Sequence, residues 1–166
     1  MPLYEIHHSA PLTDSERDSL AQSITHLHTR KFTTPSLFVN VRFIDASAEH
    51  NYIAGKKRAI NRIVAYVRGG GPRSAADFDD LAQQVQGTWD RIVNPDDIKD
   101  KQLNRVLVMS AIAAGVESGI VLPRAGMDVG WLEENRPKFE ELAAGGDDDF
   151  VGLVEELKTR EDLGGK

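Results

Sequence analysis

The chain of 166 residues contains no cysteine. This absence excludes disulfide bonds, cysteine-ligated metals and thiol catalysis. The chain also lacks any apolar stretch near the roughly 20 residues that cross a membrane. It has no long basic run and its net charge is −6, so we expect neither membrane insertion nor a nucleic-acid partner. The basic and then apolar pattern of a secretion signal is missing as well, which favours a cytoplasmic protein.

The first part of the chain, about residues 2–45, has the pattern of a β-α-β unit. Residues 3–8 fit a strand, and residues 37–45 (LFVNVRFID) are rich in the β-branched and aromatic residues of a second strand. Between them, Thr13 and Glu16 have the spacing of a capping box, which predicts the start of a helix.

A second unit of similar size follows at about residues 58–112. Strands are predicted at 58–68 and 104–112, and Ser74 with Asp77 predicts the start of the intervening helix. The two halves share this pattern without clear residue identity, so they are alike in organisation only.

These units predict an α/β (α+β) fold with a four-stranded sheet, two helices on one of its faces and a C-terminal helical extension. We place one domain at residues 1–145 and a C-terminal helical segment and tail at 146–166. Because the other face of the sheet must also be buried, either the C-terminal segment or a second copy of the chain is expected to cover it.

Pro2 is the first candidate for chemistry, since it directly follows the initiator methionine. Methionine is usually removed when the next side chain is small, and its removal would leave Pro2 with a free secondary amine. An α-amino group has a pKa of about 7.7–8, which burial or a nearby charge can bring close to working pH. The simpler interpretation is that proline is tolerated at the start of a strand.

Right-handed β-α-β crossovers place other candidates at the same edge of the sheet as Pro2. His28 lies at the end of the first helix, in line with its apolar stripe, and so faces the sheet. If the second unit runs antiparallel to the first, the turn RGGGPRS and Glu117 reach this edge too. The backbone N–H groups of the turn, with the forks of Arg68 and Arg73, are suited to a carboxylate or a phosphate.

Each of these residues also has a simpler interpretation: a core histidine, a flexible turn and a surface glutamate. The turn lacks both the G-x-G-x-x-G pattern and the P-loop lysine, so nucleotide binding rests on its glycines alone. His7 and His8 are adjacent on a strand and point to opposite faces. No pair of histidines has a convincing metal-ligand spacing, so we expect no metal and no cofactor.

Taken in order, these positions resemble the tautomerase superfamily and, within it, the cis-3-chloroacrylic acid dehalogenase group. The resemblance covers about residues 2–131. Pro2 matches the amino-terminal proline that the family uses as an acid or base, and SITHLH places His28 on the family histidine. GGPRSA places Arg73 on the second arginine of a pair, and VESG places Glu117 on the catalytic glutamate. The segments VLP and VGW are similar to later family elements.

Two substrate-binding positions depart from the family pattern. The first arginine of the pair falls on Gly70, and the active-site tyrosine falls on Met109. Arg68 is a candidate to replace the missing arginine. Loss of one charge-assisted hydrogen bond to a carboxylate costs on the order of 1.5–3 kcal/mol, so dehalogenation of a small acid should be poor. The family's habit also implies a homotrimer.

The residues and the resemblance together predict a tautomerase acting on enol or unsaturated oxo acids. Pro2 moves the proton, and Arg73 with His28 holds a small carboxylic-acid substrate. Glu117 activates water in a hydration or sets the local charge. A hydratase or a dehalogenase of 3-haloacrylic-type acids is one alternative. The other is a catalytically impaired member that acts as a binding or assembly module, because two family groups are missing and the C-terminal segment is acidic.

Overall fold

The computed structural model of the chain describes residues 1–164, and the last two residues of the predicted C-terminal tail lie outside the described residues. In chain order its strands and helices are β1 (Leu3–His8), α1 (Asp14–Phe32), β2 (Asn40–Asp45), β3 (Tyr52–Ile53), β4 (Lys56–Lys57), β5 (Asn61–Val67), α2 (Ala75–Ile92), β6 (Leu103–Ser110), β7 (Val116–Glu117), β8 (Ile120–Val121), α3 (Asp128–Ala144) and α4 (Asp148–Thr159). No helix in this part of the chain is long and apolar enough to cross a membrane.

The central sheet has four strands in the order β2-β1-β5-β6. β1 pairs in parallel with β2, and β5 pairs in parallel with β6, so each pair belongs to one β-α-β unit. β1 and β5 are antiparallel, with Leu3 opposite Tyr66. The predicted fold is therefore confirmed, and the two units run in opposite directions. As a result, the start of β1 and the end of β5 lie at the same edge of the sheet.

The helices of both units begin where the sequence predicts. The Thr13 side chain accepts a hydrogen bond from the Glu16 N–H, and the Glu16 carboxylate accepts one from the Thr13 N–H. Ser74 and Asp77 repeat this reciprocal pair at the start of α2. Each N-cap contributes about 1 kcal/mol to stability because it pairs backbone donors that the helix leaves free.

Several strand bounds differ from the predicted ones, since β2, β5 and β6 replace the strands expected at 37–45, 58–68 and 104–112. β2 begins late because Ser36–Phe38 forms a 3-10 turn whose Phe38 is buried. β5 begins late because the residues before it complete the β3–β4 hairpin. Beyond β6, residues 113–119 (AAGVESG) contain β7 of the β7–β8 hairpin.

The core lies between the sheet and the first two helices. Alternate residues of β1 and β5 point into it, where they meet the apolar stripes of α1 and α2. Its fully buried members are Tyr4, Ile6, Leu20, Ile24, Ile63, Ala65, Val67, Leu81, Val85, Trp89 and Val93. Leu20, Ile24 and His28 share the buried face of α1, as expected from the apolar stripe with which His28 is in line, so local helical periodicity sets which face this helix buries.

The opposite face of the sheet remains partly open in one chain. Leu107 and Met109 of β6 are 47% and 44% exposed there. The helices α3 and α4 pack instead around a second apolar cluster that includes Phe38, Leu132 and Phe139. The sequence predicted that either the C-terminal segment or a second copy of the chain covers this face. The C-terminal segment leaves Leu107 and Met109 exposed.

The C-terminal helices are tied to the rest of the fold by Arg160. Its buried guanidinium donates to the carbonyl oxygens of Thr29 and Thr34, at the end of α1 and just beyond it. Pro137 lies inside α3 without ending the helix. The domain boundary proposed at residue 145 falls in the turn between α3 and α4, two helices that share one apolar cluster.

A buried hydrogen bond links β1 to α1. The Tyr4 hydroxyl lies 2.8 Å from His28 Nδ1, and His28 is 1% exposed. Burial raises the pKa of Tyr4, so its hydroxyl stays protonated and donates to Nδ1. Burial, and then the nearby Arg73 charge, lower the pKa of His28 to about 3. The imidazole is therefore neutral at pH 7 and carries its proton on Nε2.

This neutral His28 predicts that acid destabilises the protein. The unfolded chain protonates His28 near pH 6.5, whereas the folded protein resists protonation down to a pKa of about 3. The stability contributed by His28 is therefore complete above about pH 6.5 and falls below it by about 1.4 kcal/mol per pH unit. Urea unfolding of the wild type and of His28→Gln between about pH 7 and 5 measures this slope, which the variant should lose.

His26→Gln is the matched control, because His26 lies on the same helix and is exposed. It should keep the wild-type dependence of the free energy of unfolding on pH. An unchanged slope in His28→Gln would contradict the assignment of a neutral buried imidazole.

Candidate active site

The candidate site lies where the chain enters the sheet. Pro2 is buried, and its carbonyl oxygen accepts a hydrogen bond from the Asn40 N–H at 3.1 Å. Since side chains alternate along a strand, Pro2 lies on the same side as Tyr4, facing the helices. The backbone of β2 thus fixes the amino end before β1 begins.

The amino group of Met1 lies among four charged side chains. Burial lowers the pKa of this amine to about 5, and the positive charge of Arg68 contributes next. Glu117 and Asp128 act in the opposite direction and favour the protonated amine, while Arg73 disfavours it. Three residues predicted for the site, Arg68, Arg73 and Glu117, are therefore close enough to the amino end to perturb it.

The guanidinium of Arg73 is held in place and has a free terminal nitrogen. Its Nη1 donates to the carbonyl oxygen of Arg68 at 2.8 Å, and its charged end lies 4.3 Å from the centre of the Phe32 ring. Its Nη2 is buried and has no hydrogen-bond partner in the described residues. A buried donor without a partner is costly, so this nitrogen is suited to an oxygen atom of a ligand.

The glycine-rich turn gives Arg73 its position. Gly70 and Gly71 both have positive φ, and a Cβ on Gly71 would collide with the carbonyl oxygen of Ala125. A Cβ on Gly70 would meet nothing within 4 Å. The turn therefore requires glycine at residue 71 for packing, whereas the position of the missing family arginine opens onto space.

Arg68 is buried and bonded rather than open to the site. Its Nη2 lies 2.6 Å from Oδ1 of Asp128, and its Nη1 donates to the carbonyl oxygen of Pro123 at 2.8 Å. Direct contact of Arg68 with a substrate stays a prediction. A substrate carboxylate would have to compete with Asp128 for this guanidinium. The sequence reasoning did not include Asp128, whose only local signal is an acidic residue in the first turn of α3.

Glu117 supplies the second carboxylate. It ends β7, and the following Ser118 and Gly119 both have positive φ, so the tight turn of the β7–β8 hairpin presents Glu117 to the amino end. Its Oε2 is buried and has no hydrogen-bond partner within residues 1–164. Burial raises the pKa of this carboxyl group, while the amine and the nearby Asn40 amide lower it.

The remaining two predicted residues differ in their distance from these charges, since the charges of Arg73, the amino end and Arg68 all act on His28. His28 lies beneath Tyr4 as a neutral core imidazole, within range of the Arg73 charge. Met109 is opposite Tyr66 on the open face of the sheet, which is the face away from Pro2, Tyr4 and the helices. Within one chain, the structure brings together the amino end, Arg68, Arg73 and Glu117, with His28 buried beneath them, but not Met109.

A cavity of about 510 Å³ lies beside Arg68. It is lined by residues 69–71 of the glycine-rich turn, by residues 112–115 and 122–125, and by Met127. Within residues 1–164, no three His, Asp or Glu side chains are grouped to hold a metal ion. The chemistry available in the described site is therefore an amine, a guanidinium with a free donor and two carboxylates.

Residues 1–136 match the Tautomerase_3 family, described as "Putative oxalocrotonate tautomerase enzyme". No curated protein matches the chain in sequence. Among solved structures, N1, a member of the cis-3-chloroacrylic acid dehalogenase family, has a TM-score of 0.64 and is 21% identical, over 91% of this chain and 99% of N1.

Two further solved structures have the same fold. MIF2 of Leishmania major has a TM-score of 0.56 and is 15% identical, over 74% of this chain and 97% of MIF2. A fused 4-OT described as an asymmetric trimer has a TM-score of 0.55 and is 17% identical, over 70% of this chain and 95% of the fused protein. The predicted resemblance to the tautomerase superfamily is confirmed, and the fold is the one seen in the cis-3-chloroacrylic acid dehalogenase group. The chain belongs to the Tautomerase_3 family.

Proposed function

We propose that this chain is a tautomerase that uses the amine of Pro2 as acid and base on enol or unsaturated 2-oxo acids. Membership of a tautomerase family supports this class of reaction. The observation that carries the proposal is the position of the amino end, which lies among Arg68, Arg73, Glu117 and Asp128. Such a group of charges around a buried amine is typical of a site where protons move.

The proton transfer requires that Met1 be removed, because only then is the Pro2 nitrogen an amine rather than an amide. Burial and the guanidinium groups of Arg68 and Arg73 lower the pKa of the Met1 amine. We expect them to favour the neutral form of the Pro2 amine in the same way. The neutral amine can accept the proton of the enol hydroxyl and deliver a proton to the neighbouring carbon, which forms the ketone. A positioned acid or base of this kind contributes about 10²–10⁴-fold to the rate.

Arg73 is proposed to bind the substrate carboxylate through its free Nη2. The stacking on Phe32 and the hydrogen bond to the Arg68 carbonyl hold this guanidinium before a ligand arrives. His28 is proposed to support the site through Tyr4 as a neutral group, since its pKa of about 3 leaves it without charge at pH 7.

Hydration is the second candidate reaction, and Glu117 favours it. A carboxylate with a free buried oxygen beside the amine can orient and deprotonate a water molecule. Dehalogenation of 3-haloacrylic-type acids ranks lower, because Gly70 supplies no charge and Met109 no hydroxyl. Ketonisation needs only the amine and one cation, so we rank it first.

We further propose a homotrimer located in the cytoplasm. The exposed Leu107 and Met109 form an apolar part of the sheet face that a second copy would cover. The fused 4-OT of similar fold is described as a trimer, which supports this assembly.

Pro2→Ala tests the role of the amine. Alanine also permits removal of methionine but leaves a primary amine without the proline ring, and we expect kcat/KM for ketonisation of an enol acid to fall by about 10²–10⁴-fold. Pro11→Ala is the matched control, since Pro11 is exposed and lies beyond β1. Unchanged turnover in Pro2→Ala would overturn the proposal.

Intact-mass spectrometry distinguishes the enzyme from a binding or assembly module. The enzyme requires the mass of the chain without Met1. A purified protein that keeps Met1 has an amide at Pro2, and with no turnover it would favour the non-catalytic alternative.

Arg73→Gln tests carboxylate binding. Loss of one charge-assisted hydrogen bond should lower kcat/KM by roughly 10–150-fold, through a higher KM for the substrate. Arg58→Gln removes an exposed arginine and serves as the control. Steady-state kinetics on the same enol acid give both values, and an unchanged KM in Arg73→Gln would exclude this contact.

Glu117→Gln separates ketonisation from hydration. The amide cannot take a proton from water, so hydration of an acetylenic or haloacrylic acid should fall by about 10²-fold or more. Ketonisation of an enol acid should change much less, because it does not use water. A comparable loss of both activities would show that Glu117 takes part in the proton transfer itself.

A further inference from the structure

Asp128 is the one charged residue of the site that the proposed chemistry does not use. It is 5% exposed at the first position of α3, and its Oδ1 lies 2.6 Å from Nη2 of Arg68. Both side chains of this ion pair are 6% exposed. A buried charge must be compensated to be tolerated, so each residue explains the presence of the other.

The two oxygens of Asp128 have different surroundings. Oδ1 is bonded to Arg68, whereas Oδ2 is buried and has no partner in the described residues. The negative charge of Asp128 acts on both the amino end and Arg73, since it raises the pKa of each group. The carboxylate therefore acts on the interior of the site as well as on its partner.

The ion pair changes how many cations the site can offer a ligand. Arg73 has a free Nη2, but both terminal nitrogens of Arg68 are already bonded, to Asp128 and to the Pro123 carbonyl. The residue two positions after Arg68 is Gly70, which has no side chain to replace that cation. With Arg68 neutralised, one guanidinium remains for a carboxylate.

We propose that Asp128 is a specificity-determining residue that binds Arg68 and thereby restricts the site to substrates with a single carboxylate. This rests on the proposed function, whose substrate class it narrows. A second carboxylate on a ligand at the amino end would lie in the field of Asp128 and Glu117, whose negative charges already act there, and like charges repel. Asp128 is a positioning residue here, since it acts through Arg68 and the local charge.

Crotonate and fumarate make a matched pair of probes, because they share a four-carbon trans skeleton and differ by one carboxylate. The ratio of their dissociation constants is measured by calorimetric titration of the full-length protein. The wild type should bind crotonate more tightly than fumarate. A wild type that prefers fumarate would overturn the proposal without any variant.

Asp128→Asn should reverse this preference. The amide keeps the shape of the side chain but frees the charge of Arg68, so fumarate binding should strengthen by roughly 10- to 100-fold relative to crotonate. The double variant Arg68→Gln/Asp128→Asn removes the freed cation and should lose this gain. Glu134→Gln, an exposed change on the same helix, should leave the ratio as in the wild type.

The ratio of the crotonate and fumarate dissociation constants shows whether Asp128 determines specificity or only stabilises the fold. If Asp128 only stabilises the fold, Asp128→Asn lowers the melting temperature and changes both dissociation constants alike, which overturns the proposal. If Asp128→Asn fails to fold, the wild-type preference for crotonate or fumarate still decides. Binding of these probes does not require the Pro2 amine to turn over, so failure of the proposed ketonisation would appear in the Pro2→Ala kinetics and not in this ratio.

Discussion

The antiparallel pairing of β1 with β5 is the constraint on which the site depends. It sets Leu3 opposite Tyr66, so the amino end that precedes β1 lies beside Arg68, which directly follows β5. The first β-α-β unit alone would hold only the amino end, and the second only the two arginines. The glycine-rich turn then brings Arg73 back toward the ring of Phe32, and the β7–β8 hairpin adds Glu117 from beyond β6. Backbone pairing between two similar units thus creates a charged pocket that neither contains.

Charge balance explains how such a group can be buried. An isolated buried ion is strongly disfavoured in a protein interior. The Arg68–Asp128 pair compensates one guanidinium completely, with both partners almost inaccessible. Arg73 is held by a carbonyl oxygen and an aromatic face, which satisfy part of its hydrogen bonding and leave its charge available. Within residues 1–164 the buried atoms without a partner are a donor nitrogen on Arg73 and acceptor oxygens on Glu117 and Asp128. They favour an anionic group at Arg73 and a hydrogen-bond donor at the two carboxylates.

The sequence could predict those parts of the fold that local chemistry encodes. The capping pairs at Thr13 and Ser74 and the helical stripes depend on residues three or four positions apart, and they were predicted correctly. Asp128 could not be found in this way, because its partner Arg68 is 60 residues away and only tertiary packing joins them. The start of β2 was misplaced for a related reason: the β-rich composition before Asn40 belongs to a 3-10 turn whose Phe38 packs on helices more than 90 residues further along the chain. The resemblance places Met109 in the site, whereas within one chain strand alternation turns it to the open face of the sheet.

The amine and Glu117 are best considered together, since their environments act on them in opposite ways. Burial lowers the pKa of the amine and raises that of the Glu117 carboxyl group, so desolvation favours the neutral form of both. Their mutual attraction favours the charged forms, and Asp128 adds to the protonation of the amine. A neutral amine can accept a proton from an enol, and a carboxylate can accept one from water. In the proposed function, the chemistry therefore depends on which of the two groups carries the proton when the substrate binds. A substrate carboxylate on Arg73 would add a negative charge that favours the protonated amine.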